Sequence, residues 1–257
     1  MKPFFFDNGT GLLYGVYHSP RTSIWRNEGV VVCYPFAHEY IRAHRACQQL
    51  AVHFSGAGFP VLRFDYTGTG DSDGDPAELS VDRWMDDIRC AILELKQLAS
   101  VQRVSLIGLR LGATLAASLA DQRRNIANLV LWDPVVAGAA YADWLELADT
   151  ASFPSERHPG RGPTELMGYV YNSQLREQIR QLDLYGLKVL PSRNLVLATT
   201  GEGDYAELIT CLKGKRCHVK LIQAPYEWNW DHEIVGRLYL PGVLLRKMVA
   251  DLAGESQ

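Results

Sequence analysis

Hydrophobic and polar positions along this chain change their period several times, and each period predicts one kind of element. The chain begins with two short apolar segments, residues 4–6 and 12–17, with the pair Asn8-Gly9 between them. Such a pair between strand-like segments predicts a hairpin, because both residue types tolerate a positive φ. Four later segments are apolar at nearly every position, which is typical of strands buried on both faces: residues 29–34, 59–64, 104–107 and 129–132.

Helical periodicity separates these strands, at residues 44–55, 80–98 and 113–122. This alternation predicts a parallel sheet with helices on both faces. After Asp133-Pro134 the alternation stops, and residues 138–190 are predicted to form an insertion above the sheet, with a helix near 173–184. It then resumes with a strand at 194–199, a helix at 205–213, a strand at 218–224 and a last helix at 234–252. We therefore expect a single α/β domain over residues 1–257, with a lid at 138–190.

The most informative segment is IGLRLGA, residues 107–113, between an apolar strand and an alanine-rich helix. Small residues flank its central residue, Arg110. A sharp strand-to-helix turn needs small neighbours, because its central residue is strained and the two backbones pass close to each other. The segment therefore predicts such a turn with Arg110 at its apex.

Three motifs together resemble the α/β-hydrolase superfamily over nearly the whole chain. GLRLG (108–112) is similar to the G-x-S-x-G nucleophile elbow with arginine in place of serine, FDYTGTGDS (64–72) to the loop D-x-x-G-x-G-x-S, and CYPFA (33–37) to the oxyanion loop. The resemblance implies an α/β-hydrolase fold, with a mostly parallel sheet flanked by helices and a lid insertion. It also implies an acid at Asp204 and a catalytic histidine at His232, which follow the last two predicted strands.

A finer resemblance concerns PFA-x-E (35–39), GLRLGA (108–113) and the pair Gly168-Tyr169. These segments resemble the bacterial subgroup of exosortase A system-associated hydrolases, second type, whose members carry arginine in the elbow. That resemblance implies a bacterial source and a biosynthetic gene setting, and it supplies no substrate.

The composition and the net charge limit the classes of partner that we expect for this chain. The chain has 26 Lys and Arg against 29 Asp and Glu, a formal net charge of -3, which argues against a nucleic acid or an anionic membrane as the partner. Five scattered cysteines without a C-x-x-C pair favour reduced thiols. We expect a cytoplasmic protein without a membrane span, because no apolar segment approaches the roughly 20 residues that a span requires. No spacing predicts a metal or a cofactor, and a homodimer is left open.

Arginine at the elbow changes the expected chemistry. A permanently charged guanidinium cannot attack a carbonyl, so an acyl-serine intermediate at this position is excluded. The cation also faces the positive end of a helix dipole, at a cost of about 0.3–1 kcal/mol. A compensating anion is therefore expected: Glu39, Asp133, Asp204, or a carboxylate or enolate of a ligand. With a ligand, Arg110 is an anion clamp; with Glu39, the pair is a structural lock.

Two functions remain open for a chain with Arg110 at the elbow. In the first, Arg110 anchors an acyl or carboxylate-bearing small molecule, and His232 acts as the base for hydrolysis or acid elimination without a covalent intermediate. In the second, the chain is a noncatalytic pseudo-hydrolase that binds a small ligand or a protein partner. The acid beside His232 is expected to be Asp204, with Glu202, Asp231 and Asp133 as alternatives.

Further residues are expected to bind the oxyanion or the substrate around this turn. Cys33, beside the oxyanion loop, is the other nucleophile to consider, although cysteines in apolar strands are usually buried and inert. The expected oxyanion-binding and substrate-binding residues are Phe36, Ala37, Glu39, Leu111, Asp133 and Trp230.

Overall fold

An eight-stranded sheet with helices on both faces forms the centre of the molecule. The computed structural model describes residues 1–122, 126–152, 165–188, 194–200, 205–215, 218–224 and 241–254. The strand order in the sheet is β1-β2-β4-β3-β5-β6-β9-β10. These strands are β1 (Lys2–Asp7), β2 (Leu12–His18), β3 (Glu28–Cys33), β4 (Val61–Phe64), β5 (Arg103–Leu109), β6 (Ile126–Trp132), β9 (Asn194–Thr199) and β10 (Val219–Gln223).

Strand directions confirm the predicted α/β-hydrolase fold class. The first two strands form the predicted antiparallel hairpin, in which Phe5 lies opposite Tyr14. β2 pairs with β4 in the antiparallel direction, and every later pairing in this sheet is parallel. Parallel strands are buried on both faces because their crossover helices cover them, which explains the continuous apolar segments.

Helices of the α/β alternation flank this sheet, and two more lie in the insertion. Ser80 caps the N-terminus of helix α2, because its hydroxyl accepts a hydrogen bond from the Arg83 backbone N–H at 3.2 Å. It buries a stripe that includes Trp84, Ile88 and Leu95 against the core. The helices are α1 (His38–Gly56), α2 (Val81–Ala99), α3 (Leu111–Gln122), α4 (Gly138–Ser152), α5 (Ser173–Arg180), α6 (Ala206–Gly214) and α7 (Gly242–Ala253).

The start of α1 differs from the predicted one for a physical reason. α1 begins at His38 rather than at residue 44, because its first turn buries the charged Glu39, which a hydrophobicity pattern counts as a surface residue. α4 occupies the first part of the insertion, where the sequence predicted no helix. α7 begins at Gly242, and residues 225–240, which include the start of the predicted last helix, lie outside the described residues.

The described part of the insertion packs against the main domain through hydrogen bonds of its side chains. Its strands β7 (Glu165–Leu166) and β8 (Tyr169–Val170) form a separate two-stranded sheet. The Asn172 side-chain amide donates to the backbone oxygen of Leu79 at 2.9 Å, and the Gln178 side chain accepts from the Val81 backbone N–H at 2.7 Å. These contacts join α5 to the start of α2. Among the helices that the structure describes, none combines the length and the apolar composition required to cross a membrane.

Candidate functional site

The turn between β5 and α3 has the predicted tight geometry, with Arg110 at its apex. Arg110 has a φ of 53°, in the left-handed region that non-glycine residues rarely adopt. A Cβ at Gly112 would lie 2.3 Å from the backbone oxygen of Tyr34, and a Cβ at Gly108 would lie 2.3 Å from the Cα of Ala113. Only glycine fits at these two positions, since the opposing atoms belong to the backbone.

The Arg110 guanidinium is held by an acid and by two aromatic rings. Its Nε donates to the Oε1 of Glu39 at 2.7 Å, and its NH1 donates to the backbone oxygen of Asp133 at 3.3 Å. Its central carbon lies 5.7 Å from the ring centroids of both Tyr141 and Trp144, which is within cation–π distance. The Arg110 side chain is 17% exposed and that of Glu39 is 0% exposed.

Both carboxylate oxygens of Glu39 have a donor. Oε2 accepts from the Tyr141 hydroxyl at 2.7 Å, while Oε1 accepts from Arg110. Burial lowers the pKa of Arg110, but the charge of Glu39, its hydrogen bond and the neighbouring tyrosines together raise it more, so that the net shift is upward and the guanidinium stays charged. For Tyr141, a neutral acid, burial has the opposite effect and raises the pKa well above its ordinary value, so the hydroxyl stays a neutral donor. Glu39 is therefore the anion that compensates Arg110, which is the arrangement that the sequence left open as a structural lock.

Asp133, the second candidate anion, has a different role in the structure. It is 4% exposed, and its carboxylate accepts from the backbone N–H of Thr200 at 2.9 Å and from the Thr200 hydroxyl. Burial raises the pKa of Asp133, and the hydrogen bonds from Thr200 oppose that shift. The carboxylate thus joins the carboxyl ends of β6 and β9, while the backbone oxygen of Asp133 accepts the hydrogen bond from Arg110.

A cavity of about 370 Å³ lies beside the turn. Phe36, Ala37 and Leu111, three of the expected oxyanion-binding residues, line it, whereas Glu39 and Asp133 do not. Leu111 is the first residue of α3, so its backbone N–H has no acceptor within the helix. The aromatic and aliphatic lining residues are Tyr34, Pro35, Phe36, Ala37, Tyr40, Ile41, Tyr66, Leu79, Trp84, Leu111, Leu115, Tyr169 and Val170.

The polar atoms of the aromatic wall are largely committed to the protein. The Tyr34 hydroxyl accepts from Arg63, the Tyr40 hydroxyl donates to Asp65 at 2.8 Å, and the Trp84 indole N–H donates to the backbone oxygen of Thr67 at 3.2 Å. No Asp, Glu, Lys or Arg belongs to the lining that the structure describes. The cavity therefore favours an uncharged, apolar occupant.

Three expected site residues, Asp204, Trp230 and His232, lie outside the described residues. Within the described ranges, no group of three or more His, Cys, Asp and Glu side chains could hold a metal ion. Cys33 is 0% exposed, and burial raises the pKa of its thiol to about 12, which makes it a poor nucleophile.

Sequence reasoning missed Tyr141 and Trp144, whose rings contact the Arg110 guanidinium. They lie three residues apart on α4 and therefore share one face of that helix. The only signal was this pair of large aromatic residues in a segment interpreted as an insertion without regular periodicity.

Known proteins similar to this chain share its fold. The structure of Est1E from Butyrivibrio proteoclasticus with ferulic acid bound has a TM-score of 0.68 and 17% identity, covering 98% of this chain and 100% of that chain. The proline iminopeptidase of Mycobacterium smegmatis has a TM-score of 0.66 and 12% identity, covering 99% and 98% of the two chains. An α/β serine hydrolase homologue from Coxiella burnetii has a TM-score of 0.61 and 14% identity, covering 98% and 96%.

Sequence comparison also detects a relative and a family. An uncharacterized protein of Mycobacterium tuberculosis (strain H37Rv) is 36% identical over 143 residues, which cover 53% of this chain and 48% of that protein. The chain thus spans about half the length of the curated relatives it matches. The family model described as serine aminopeptidase, S33, matches residues 27–187. With its sheet order, this match shows that the chain belongs to the S33 serine aminopeptidase family of α/β hydrolases.

Proposed function

We propose that this chain is a noncatalytic pseudo-hydrolase that binds a neutral, largely apolar small molecule in the cavity beside the elbow. The observation that carries the proposal is the buried Arg110–Glu39 ion pair in the turn between β5 and α3, at the position where the resemblance to α/β hydrolases implies a serine nucleophile. The cavity next to it has the size of a small-molecule site and an apolar wall.

No side chain of the described lining is a suitable nucleophile. Arg110 lies outside this lining and keeps its proton, and the Thr69 hydroxyl, which belongs to the lining, donates to the backbone oxygen of Tyr66 at 2.9 Å. An acyl-enzyme needs a hydroxyl or thiol activated by an adjacent base, and no such pair occurs among the lining residues that the structure describes. This argues against covalent acyl transfer.

The charge distribution argues against a carboxylate ligand. A carboxylate moved from water into the cavity would lose several kcal/mol of hydration. The nearby cation, Arg110, is already neutralised by Glu39, whose second oxygen is satisfied by Tyr141. A neutral ligand avoids this cost, and we therefore prefer it to the acyl or carboxylate-bearing metabolite that the sequence suggested.

Aromatic rings define the shape that the cavity accepts. The ring of Phe36 lies 5.3 Å from that of Trp84 and 6.3 Å from that of Tyr169, measured between centroids. These three residues line the same wall, and offset stacking on such rings favours a flat or aromatic group. We propose that the ligand carries one.

We also propose that residues 138–190 act as the lid of this cavity. Gly168, Tyr169 and Val170, from the short hairpin of the insertion, belong to the lining. Helix α4 contacts the Arg110–Glu39 pair through Tyr141 and Trp144. In this proposal the ion pair anchors the lid where a hydrolase would hold its catalytic serine.

A second candidate function is noncovalent hydrolysis or elimination in a bacterial biosynthetic pathway. It is favoured by Ala37 and Leu111, which line the cavity where oxyanion-binding amides lie in hydrolases of this fold. His232 would then be the base, with Asp204 as its acid. The two candidates make different predictions for turnover.

A matched pair of fluorescent probes tests the ligand class. N-phenylnaphthylamine is neutral, and anilinonaphthalene sulfonate carries the same rings with an added anion. We expect the neutral probe to bind at least about tenfold more tightly, because the cavity offers no cation for the sulfonate. Tighter binding of the anionic probe, lost in Arg110→Met under conditions where circular dichroism shows that this variant keeps a native fold, would instead support Arg110 as an anion clamp.

Two tryptophan substitutions locate the bound probe. Val170→Trp adds a large ring to the lining and should abolish binding, whereas Leu147→Trp, at a position of α4 that is 70% exposed and outside the lining, should not. Equal affinity in both variants would show that the probe binds elsewhere.

Turnover separates the two candidate functions. With a panel of p-nitrophenyl esters, the pseudo-hydrolase should show neither an acyl burst nor labelling by a fluorophosphonate. Steady hydrolysis that disappears in His232→Ala, with unchanged probe affinity, would establish the noncovalent enzyme instead.

A further inference from the structure

A second cavity, of about 270 Å³, contains a buried cation that the proposed function does not use. Tyr34 and Tyr40 line both cavities and therefore separate them. Arg63, in the middle of β4, lines the second cavity and is 3% exposed. The position is unusual, because a charged side chain is almost never fully buried without a partner of opposite charge.

The partners of Arg63 are neutral groups. Its Nε donates to the Nε2 of His18 at 3.1 Å, and its NH1 donates to the Tyr34 hydroxyl. Burial and then the charge of Arg63 lower the pKa of His18 to about 4, so this imidazole is neutral at neutral pH. Burial raises the pKa of Tyr34, so its hydroxyl is neutral as well.

No carboxylate in the part of the chain that the structure describes forms an ion pair with Arg63, and no acceptor there takes a hydrogen bond from its NH2. A guanidinium presents its donors as a planar fork that matches a carboxylate in two parallel hydrogen bonds. A buried fork with unused donors on a cavity wall therefore fits a ligand carboxylate.

The same cavity carries acidic groups as well. Asp65 is 5% exposed; its Oδ1 accepts from the Tyr40 hydroxyl at 2.8 Å and its Oδ2 accepts from the backbone N–H of Asp71 at 3.1 Å. The side chain of Asp71 lines the cavity and is exposed, and no residue in the described ranges donates a hydrogen bond to its carboxylate. Two carboxylates would repel a simple anion, but they would attract a cationic group on the same ligand.

The spacing of the charges suits a small molecule. Arg63, in β4, and Asp65, directly after the end of β4, lie two positions apart and both line the cavity. Two residues of extended chain span about 6.6 Å. We propose that this cavity binds a small zwitterion, such as a free amino acid, whose carboxylate pairs with Arg63 and whose ammonium group pairs with Asp71 and Asp65. This proposal is independent of the apolar ligand, because the two sites share only the tyrosine wall.

Titration calorimetry with L-leucine, acetate, ethylamine and inorganic phosphate tests the proposal. The chain should carry its purification tag at the carboxyl end, since Met1 lines the cavity. We expect leucine to bind at least about tenfold more tightly than acetate, ethylamine or phosphate, because only leucine engages both charged ends. Equal or tighter binding of acetate or phosphate would show a simple anion site and overturn the zwitterion proposal, as would the absence of leucine binding at millimolar concentration.

Asp71 is exposed, so its substitution tests the site without removing a buried group from the fold. Asp71→Asn removes one charge from the cavity and should weaken leucine binding about tenfold without weakening acetate binding. The control Glu207→Gln removes an exposed charge from α6, outside the cavity, and should change neither. Arg63→Lys, where circular dichroism shows a native fold, should weaken both ligands because lysine lacks the fork.

The apolar-site variant Val170→Trp should leave leucine affinity unchanged, which separates a failure of this proposal from a failure of the proposed function. Leucine affinity that is unaffected by Asp71→Asn, or that is lost in Val170→Trp, would overturn the assignment of the ligand to this cavity.

Discussion

Removing the elbow cation should destabilise the fold strongly, because it leaves a buried carboxylate without its counter-ion. Glu39 is 0% exposed, and in Arg110→Met its carboxylate would keep, among the residues that the structure describes, the hydrogen bond from Tyr141 alone. Breaking a buried ion pair on one side costs about 3–5 kcal/mol. The guanidinium also contacts the rings of Tyr141 and Trp144, at 5.7 Å from each centroid. That loss adds about 0.5–2 kcal/mol.

The assay is urea unfolding followed by far-ultraviolet circular dichroism, applied to a double-mutant cycle. The cycle consists of Arg110→Met, Glu39→Leu and the double variant. The double variant removes both charges and should regain at least about 2 kcal/mol relative to Arg110→Met, although about 1–3 kcal/mol remains lost because the Tyr141 hydroxyl loses its acceptor.

An exposed ion pair of the same length supplies the control. Arg176 and Glu146 are joined at 2.7 Å, but their side chains are 50% and 33% exposed. Arg176→Met should therefore cost less than about 1 kcal/mol. If Arg110→Met cost no more than this control, or if the two elbow substitutions were simply additive, Glu39 would not be the buried counter-ion that we infer.

Two further predictions concern local features of the fold. Burial lowers the pKa of His18 from 6.5 to about 4. Between these two pH values the unfolded chain takes up a proton that the folded chain does not. The free energy of unfolding should therefore fall by about 2–3 kcal/mol as the pH drops from 6.5 toward 4. Urea titrations of His18→Gln should show a weaker dependence in that window, and an unchanged dependence would refute the assignment. Gly112→Ala should cost about 3 kcal/mol, because its Cβ would lie 2.3 Å from the Tyr34 backbone oxygen. Gly56→Ala, with nothing within 4 Å, should be neutral or stabilising in the same thermal-melt comparison, and similar melting temperatures for the two variants would contradict the close approach.

Local patterns were sufficient to predict most of the fold. Continuous apolar segments predicted the parallel strands, and the glycines at 108 and 112 predicted the tight turn around Arg110, because both depend on residues close together in the chain. Hydrophobic periodicity did not predict the first turn of α1, because the buried Glu39 interrupts it. In the same way, Arg63 within an apolar strand was visible in the sequence, but its neutral partners were not.

The sequence by itself determined the alternation of strands and helices outside the insertion, the turn that holds Arg110 and the absence of a serine from that turn. Only the tertiary structure decided which anion meets this arginine. Glu39 lies 71 positions from Arg110, and Tyr141, which bonds the same carboxylate, lies 102 positions from Glu39. Several acids could have served, and the choice among them depends on how the loops at the carboxyl edge of the sheet and the insertion pack against one another, which no local pattern encodes.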